Sequence, residues 1–358
     1  MSARADAAPA DAAERATPVA VHASPRPRAS RGVRHLPGSS RRLDLRQRAV
    51  VRGLLIGTAA LRLLPDGPVY RAAHATGVLL SLVMPRRRAL VRENLLRVCL
   101  WLDAQDRATP RVRAAARDPR RLDALVRDAF GHWARTYAES AMAPRYDAAT
   151  LRDRIRLDAP ETTRAALHPE PDDHRGRIYV GFHFGAVELG ALYAARLGRV
   201  PVAGPMETVA SPALRAYFEH TRGALGVGIV SLDDVARGMS ERLERGLGVA
   251  LVADRVVRGT GVSVQLFGAP ARLPLGPAVL AAESGAGTFV ISIRRVGWNR
   301  WAGRVEAIEL QDAAPRRARV RDALEQEVHL LERCVADAPE QWWSLFFPIW
   351  EAPRAGSQ

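Results

Sequence analysis

The sequence contains no lysine: all 53 basic side chains among its 358 residues are arginine. That absence excludes a Walker-A lysine, a Schiff-base lysine and a Ser–Lys dyad, each of which needs the ε-ammonium. Cysteine is almost as scarce. Cys99 and Cys334 are too few for a disulfide framework or a structural zinc site, which fits a reducing compartment. Without Gly-x-Ser-x-Gly, an α/β-hydrolase elbow has no nucleophile. His-Glu-x-x-His is missing too, and nine scattered histidines give no reason to expect a metal. Gly226-Val227-Gly228 and Gly285-Ala286-Gly287 do not extend into Gly-x-Gly-x-x-Gly, so dinucleotide binding lacks its fingerprint. Nor is there a run of ~20 uninterrupted apolar residues of the kind that spans a bilayer.

What is present is a globular composition, 47% apolar, long enough for one large or two modest domains. Its formal net charge of +15 is unevenly spread: residues 1–48 hold 10 Arg against 4 acids, 49–128 hold 15 against 7, and 129–358 hold 28 against 27. Residues 1–48, rich in Ala, Pro, Arg and Ser without apolar periodicity, read as a disordered basic tail. They lack the apolar core of a secretory signal, so export is not expected. Two apolar stretches follow, Ala49–Leu64 and Val69–Met84, ending at Pro85-Arg86-Arg87-Arg88. Two such helices beside an Arg cluster suit an anionic membrane surface, and equally a pair of ordinary buried helices. Nucleic acid is not expected as a partner, because the basic stretch lacks interleaved aromatics, zinc-finger spacing and an RNP-like strand.

Leu122, Leu125, Val126, Ala129, Phe130, Trp133 and Tyr137 recur at three- and four-residue steps and predict a helix over 121–142. Residues 103–121 read as a loop or a solvated helix extension. From 177 onward the pattern changes. Segments 177–181, 200–204, 228–230, 248–253, 262–267 and 288–294 read as short strands, with helical runs at 187–197, 212–225, 232–245 and 276–284. Alternation of this kind predicts an α/β fold, a mainly parallel sheet flanked by helices. A last helix carries Val320, Leu324, Val328, Leu331 and Val335 and stops before Pro339. The aromatic end beyond it (Trp342, Trp343, Phe346, Phe347, Trp350) reads as core packed on the sheet, with a lipid–water boundary as the alternative.

One constellation carries chemistry. The strand at 177–181 runs into Phe182-His183-Phe184-Gly185-Ala186-Val187-Glu188 and then an apolar helix. On one continuous helix, residues five apart would lie ~140° apart and not meet. With His183 in the turn and Glu188 in the first helical turns, the two can face each other. A carboxylate on one imidazole nitrogen orients the ring and raises the basicity of the other, which makes a general base. A capping or packed histidine is the competing reading of the same two residues.

Around this pair stand Pro205-Met206-Glu207, Arg222-Gly223 and Ala253-Asp254-Arg255. Phe267-Gly268-Ala269-Pro270, Leu273-Pro274-Leu275-Gly276-Pro277 and Ala338-Pro339-Glu340-Gln341-Trp342-Trp343 follow in order. Together these motifs resemble the bacterial lipid A / phosphatidylinositol mannoside acyltransferase family of the wider glycerophospholipid acyltransferase group. The resemblance implies His183 as catalytic base and Glu188 as its charge-relay partner. It implies Glu207, Arg222, Asp254 and Arg255 as substrate-binding residues at the polar end of a groove. It further implies an acyl thioester on coenzyme A or acyl carrier protein as donor, with no bound cofactor, and a sugar hydroxyl of a glycolipid as acceptor. The hydroxyl would attack the thioester directly. Beyond the tail at 1–48, the expected division is 49–145 as a helical region, whose N-terminal hairpin the resemblance makes membrane-associating, and 146–358 as the α/β catalytic domain. The protein would then sit on the cytoplasmic face of the inner membrane. The mannoside branch commonly ends its His motif in Asn-Trp-Asp, where this chain has Ala186-Val187-Glu188, so the acceptor stays open. A thioester hydrolase and a non-catalytic membrane-surface protein of the same fold are the alternatives.

Overall fold

A capping box opens the described chain. In the computed structural model, the backbone N–H of Gln47 donates to the Asp44 side chain (2.7 Å) and that of Asp44 to the Gln47 side chain (3.1 Å). Two orphan donors are satisfied at once, and helix α1 (Leu45–Leu61) starts there. The structure describes residues 44–167, 175–197, 201–205, 211–230, 235–256, 259, 261–311 and 313–351, so most of the expected tail lies outside the described residues. Helices α2 (Asp66–Val83), α3 (Pro85–Ala104), α4 (Pro110–Arg117) and α5 (Pro119–Met142) follow. Pro85, Pro110 and Pro119 each stand in the first turn, where a missing N–H costs nothing. The stretch expected to be a loop or helix extension thus contains a separate helix, α4, capped by the Thr109 hydroxyl.

Helix α6 (Ala148–Arg154) leads into β1 (Ile155–Asp158) and α7 (Glu161–Leu167). The alternating part then runs β2 (Arg177–Gly185), α8 (Val187–Leu197), β3 (Val202–Pro205), α9 (Pro212–Leu225), β4 (Gly228–Val230), α10 (Val235–Glu244) and β5 (Gly248–Val252). After it come β6 (Val262–Leu266), β7 (Ala269–Leu273), α11 (Gly276–Ser284), β8 (Gly287–Arg295), β9 (Trp301–Ile308) and α12 (Arg316–Asp337). Two 3₁₀ turns close the described chain, Pro339–Gln341 and Trp343–Phe346.

Seven strands form one sheet in the order β1-β9-β8-β2-β5-β3-β4. Within this sheet, among the described residues, only the β8–β9 pair is antiparallel, so the expected mainly parallel sheet is what forms. Strand β2 lies near the centre with both faces covered, and Ile178 and Val180 are fully buried, as a parallel strand requires. Two expectations change. Segment 262–267 pairs with β7 in a separate two-stranded hairpin rather than joining the sheet. Strands β1 and β9 extend the sheet beyond what was read; in β9 the strand formers Trp301, Val305 and Ile308 are broken up by Ala, Gly, Arg and Glu.

The helical region shares its core with the sheet. Leu95 on α3, Phe130 on α5, Val180 on β2, Leu331 on α12 and Trp342 belong to one buried cluster. Helices α2 and α5 come close enough that a Cβ on Gly77 would lie 2.1 Å from the Phe130 carbonyl oxygen, so only glycine fits. Trp342, Leu345 and Phe346 are core, with Trp343, Phe347 and Trp350 packed half-buried against it. Among the described residues no helix is long and apolar enough to cross a membrane.

Candidate active site

Strand β2 runs to Gly185, four residues past its expected end, so His183 sits on extended backbone and not in a turn. Its register against β5 decides what stands beside it. Gly181 pairs with Val252, and the Ala253 N–H still donates to the Gly181 carbonyl (2.9 Å). Two residues further on, the parallel ladder brings Asp254 level with His183. There the side chain replaces the backbone acceptor: Asp254 Oδ1 takes the His183 backbone N–H (3.1 Å) and also lies 2.9 Å from His183 Nδ1. Both residues lie at or just beyond the carboxyl ends of their strands, where open α/β sheets bind ligands.

The carboxylate of Asp254 is fully enclosed. Its Oδ2 accepts from the Trp342 indole N–H (2.8 Å) and the Ser344 hydroxyl (2.7 Å). Burial by itself would push this carboxyl up. The His183 charge, its hydrogen bond and those of Trp342 and Ser344 outweigh that and hold it down, at about 2. An ionised Asp254 can only accept, so Nδ1 of His183 donates and Nε2 is left as the basic nitrogen. The ring is also held by an edge contact with Trp343, centroid to centroid 4.9 Å.

Glu188, expected against the imidazole, is placed differently. Gly185 adopts a left-handed conformation (φ 57°), and a Cβ there would lie 1.9 Å from the Ile293 carbonyl oxygen. The chain turns at this point; the Ala186 N–H donates to Ile293 (2.8 Å) and α8 begins at Val187. In the first turn of α8, Glu188 accepts from Arg222 Nη2 at 3.2 Å. The carboxylate on Nδ1 is therefore that of Asp254, because strand register brings Asp254 level with His183 before the turn delivers Glu188.

A cavity of about 460 Å³ opens beside this pair, lined by His183, Glu188, Arg222, Arg255 and Trp343 at polar positions and otherwise mostly by apolar side chains. A Cβ at Gly181 would meet nothing nearer than 3.8 Å, leaving a notch one pleat below His183. Tyr179 lies a further pleat along and also lines the cavity. The Arg255 guanidinium lies 4.2 Å from the centroid of the Phe347 ring. Five of the six expected residues thus gather here, and Glu207 lies outside the described residues. Sequence reasoning missed Trp342, Ser344 and Tyr137 as neighbours of the site; the Trp342-Trp343 pair was read as packing. Cys99 and Cys334 are buried, which pushes their thiols up to about 12 and about 11.

Residues 36–350 match the family described as bacterial lipid A biosynthesis acyltransferase. The chain is 29% identical over 177 residues to a phosphatidylinositol mannoside acyltransferase of Mycolicibacterium smegmatis, covering 47% of this chain and 55% of that protein. It is 39% identical over 84 residues to the protein of the same name from Mycobacterium tuberculosis, covering 22% and 27%. The matched stretches thus span about half or less of the length of these relatives.

Proposed function

Since the chain belongs to the bacterial lipid A biosynthesis acyltransferase family, we propose that it is an O-acyltransferase that moves a fatty acyl group from a thioester to a sugar hydroxyl of a glycolipid. The observation that carries this reading is the His183–Asp254 pair, with His183 lining a mostly apolar cavity. In the proposed mechanism Nε2 of His183 takes the proton of the acceptor hydroxyl while its oxygen attacks the thioester carbonyl. The tetrahedral intermediate expels the thiolate, and the imidazolium returns the proton to that sulfur. Ester forms, thioester breaks, and His183 ends as it began. Asp254 holds the ring and stabilises its charged form, with no covalent enzyme intermediate.

The apolar wall past Gly181 towards Tyr179 suits the acyl chain. Arg222 and Arg255 suit anionic oxygens of donor or acceptor, since guanidinium charge is permanent and its donors are planar. Glu188 would orient Arg222, and Glu207 remains a binding residue by resemblance alone. The donor would be acyl-coenzyme A or acyl carrier protein. The relatives' names make a phosphatidylinositol mannoside the first acceptor to try. We place the protein on the cytoplasmic face of the inner membrane, as a peripheral membrane protein. Support comes from exposed apolar side chains on α1 and α2, with Ile56 at 69%, Leu79 at 62% and Val83 at 72%, followed directly by Arg86-Arg87-Arg88.

The test uses the full chain with palmitoyl-coenzyme A and phosphatidylinositol mannoside, reading acylated glycolipid by mass spectrometry. His183→Ala is expected to abolish product while keeping the melting temperature. Thiol release that needs no glycolipid would favour a hydrolase, and wild-type turnover by His183→Ala would overturn the mechanism.

A further inference from the structure

The two donors on Asp254 Oδ2 come from a part of the chain remote from the strands that carry His183 and Asp254. Ser344 belongs to the last 3₁₀ turn, Trp342 is the extended residue between the two turns, and Trp342 is seated by an isolated antiparallel bridge to Phe184, the residue after His183. Trp342 is completely buried and Ser344 nearly so, and Leu345 and Phe346 anchor the same segment in the core. We propose that Ser344 and Trp342 are positioning residues of the active site, a hydroxyl and an indole N–H that clamp Oδ2 of Asp254 so that Oδ1 stays aimed at Nδ1 of His183. The inference rests on the general-base reading of His183.

The physical case is one of freedom and charge. The terminal torsion of an aspartate is broad and roughly two-fold, so a carboxylate held at one oxygen can swing. Two donors at Oδ2, at 2.7 and 2.8 Å, remove that freedom. Both come from side chains already fixed by packing, so little ordering is left for the moment of reaction. They also draw negative charge towards Oδ2. Removing one leaves more charge on Oδ1, facing Nδ1–H, and favours the charged imidazolium over the neutral base. Activity that needs the neutral base then begins at higher pH. Of the other charged groups of the cavity, Glu188 pairs with Arg222, and the Arg255 guanidinium lies over the Phe347 ring.

The experiment compares wild type, Ser344→Ala, Ser344→Thr, Trp342→Phe and His183→Ala as full chains. It reads kcat and KM for palmitoyl-coenzyme A against pH, together with thermal melting. Ser344→Ala and Trp342→Phe are expected to lower kcat roughly tenfold with little change in KM, and to move the acid limb of the profile up by about half a pH unit. Ser344→Thr keeps the hydroxyl and restores both. Folded Ser344→Ala protein with the wild-type kcat and acid limb overturns the inference, and that variant decides alone if Trp342→Phe does not fold. An inactive His183→Ala beside wild-type behaviour of the clamp variants sinks only the positioning role. A fully active His183→Ala sinks the general-base reading beneath it.

Discussion

Two buried carboxylates of this molecule sit in contrasting hubs. Glu139, where α5 meets β8 and β9, accepts from Arg135 Nε (2.8 Å), Arg295 Nη2 (2.7 Å) and Trp301 Nε1 (3.2 Å). Arg135 also donates to the Gly297 and Trp298 carbonyls, and Arg295 to the Thr136 hydroxyl, so this hub ties a helix to the turn of a hairpin. Asp254 likewise accepts an indole N–H, but its partners are an imidazole, a backbone N–H and a hydroxyl. Guanidinium never gives up its proton in a protein, so the cations facing Glu139 keep their charge. Imidazole changes charge near neutrality, so Asp254 supports a group that can act. Full burial and a full set of hydrogen bonds do not distinguish a working carboxylate from a structural one. What distinguishes them is whether the opposing cation can lose its charge.

The largest expected effect sharpens that contrast. Asp254→Asn keeps size and most contacts but presents the wrong hydrogen-bonding partner to Nδ1, and acyl transfer should fall roughly 10³-fold with the fold retained. Steady-state kinetics with circular dichroism checks this; a change under tenfold would show that Asp254 is not the relay. Glu139→Gln should do the reverse. It leaves two buried guanidiniums without their anion and should cost about 3–5 kcal/mol of stability, read by denaturant unfolding, while turnover per folded molecule holds.

A third carboxylate tests what happens with no donor at all. Among the described residues Glu327 Oε1 has no hydrogen-bond partner, and burial pushes this carboxyl on α12 up to about 8. At pH 4 the folded and unfolded forms are both largely protonated. As pH rises to about 8 the unfolded chain releases the proton and the folded chain keeps it, so stability falls. Glu327→Gln should therefore raise the melting temperature at pH 8 and leave it nearly unchanged at pH 4. The smallest effect is expected at Glu188, whose pair with Arg222 is about a quarter to a third exposed. Glu188→Gln should shift stability by under about 1 kcal/mol, and turnover by only a fewfold. A loss matching that of Asp254→Asn would reverse the assignment of roles between the two.

The legibility of these features follows from how local their causes are. Helices α8 and α9 and the apolar face of α5 lie where the periodicity put them, because each is specified by residues three and four apart. His183 could be found because a strand followed by an apolar helix marks a sheet's carboxyl edge. Its partner could not, because that depends on the register between two strands 71 residues apart, which leaves no trace in either segment alone. The hairpin of β6 and β7 was misplaced for the same reason: a five-residue strand looks alike whether it joins the main sheet or folds back at Phe267-Gly268. Trp342 and Ser344 were hidden by distance of a further 88 and 90 residues from Asp254.

Those separations also bear on when the molecule becomes competent. The ribosome delivers His183 and Asp254 long before Ser344, and domains take shape from the N-terminus as they emerge. The bridge from Trp342 to Phe184 then arrives as a finishing latch. On the proposed positioning role, a half-made chain would carry the acid–base couple without its brace, and full acylation would wait until synthesis has passed the final tryptophan pair.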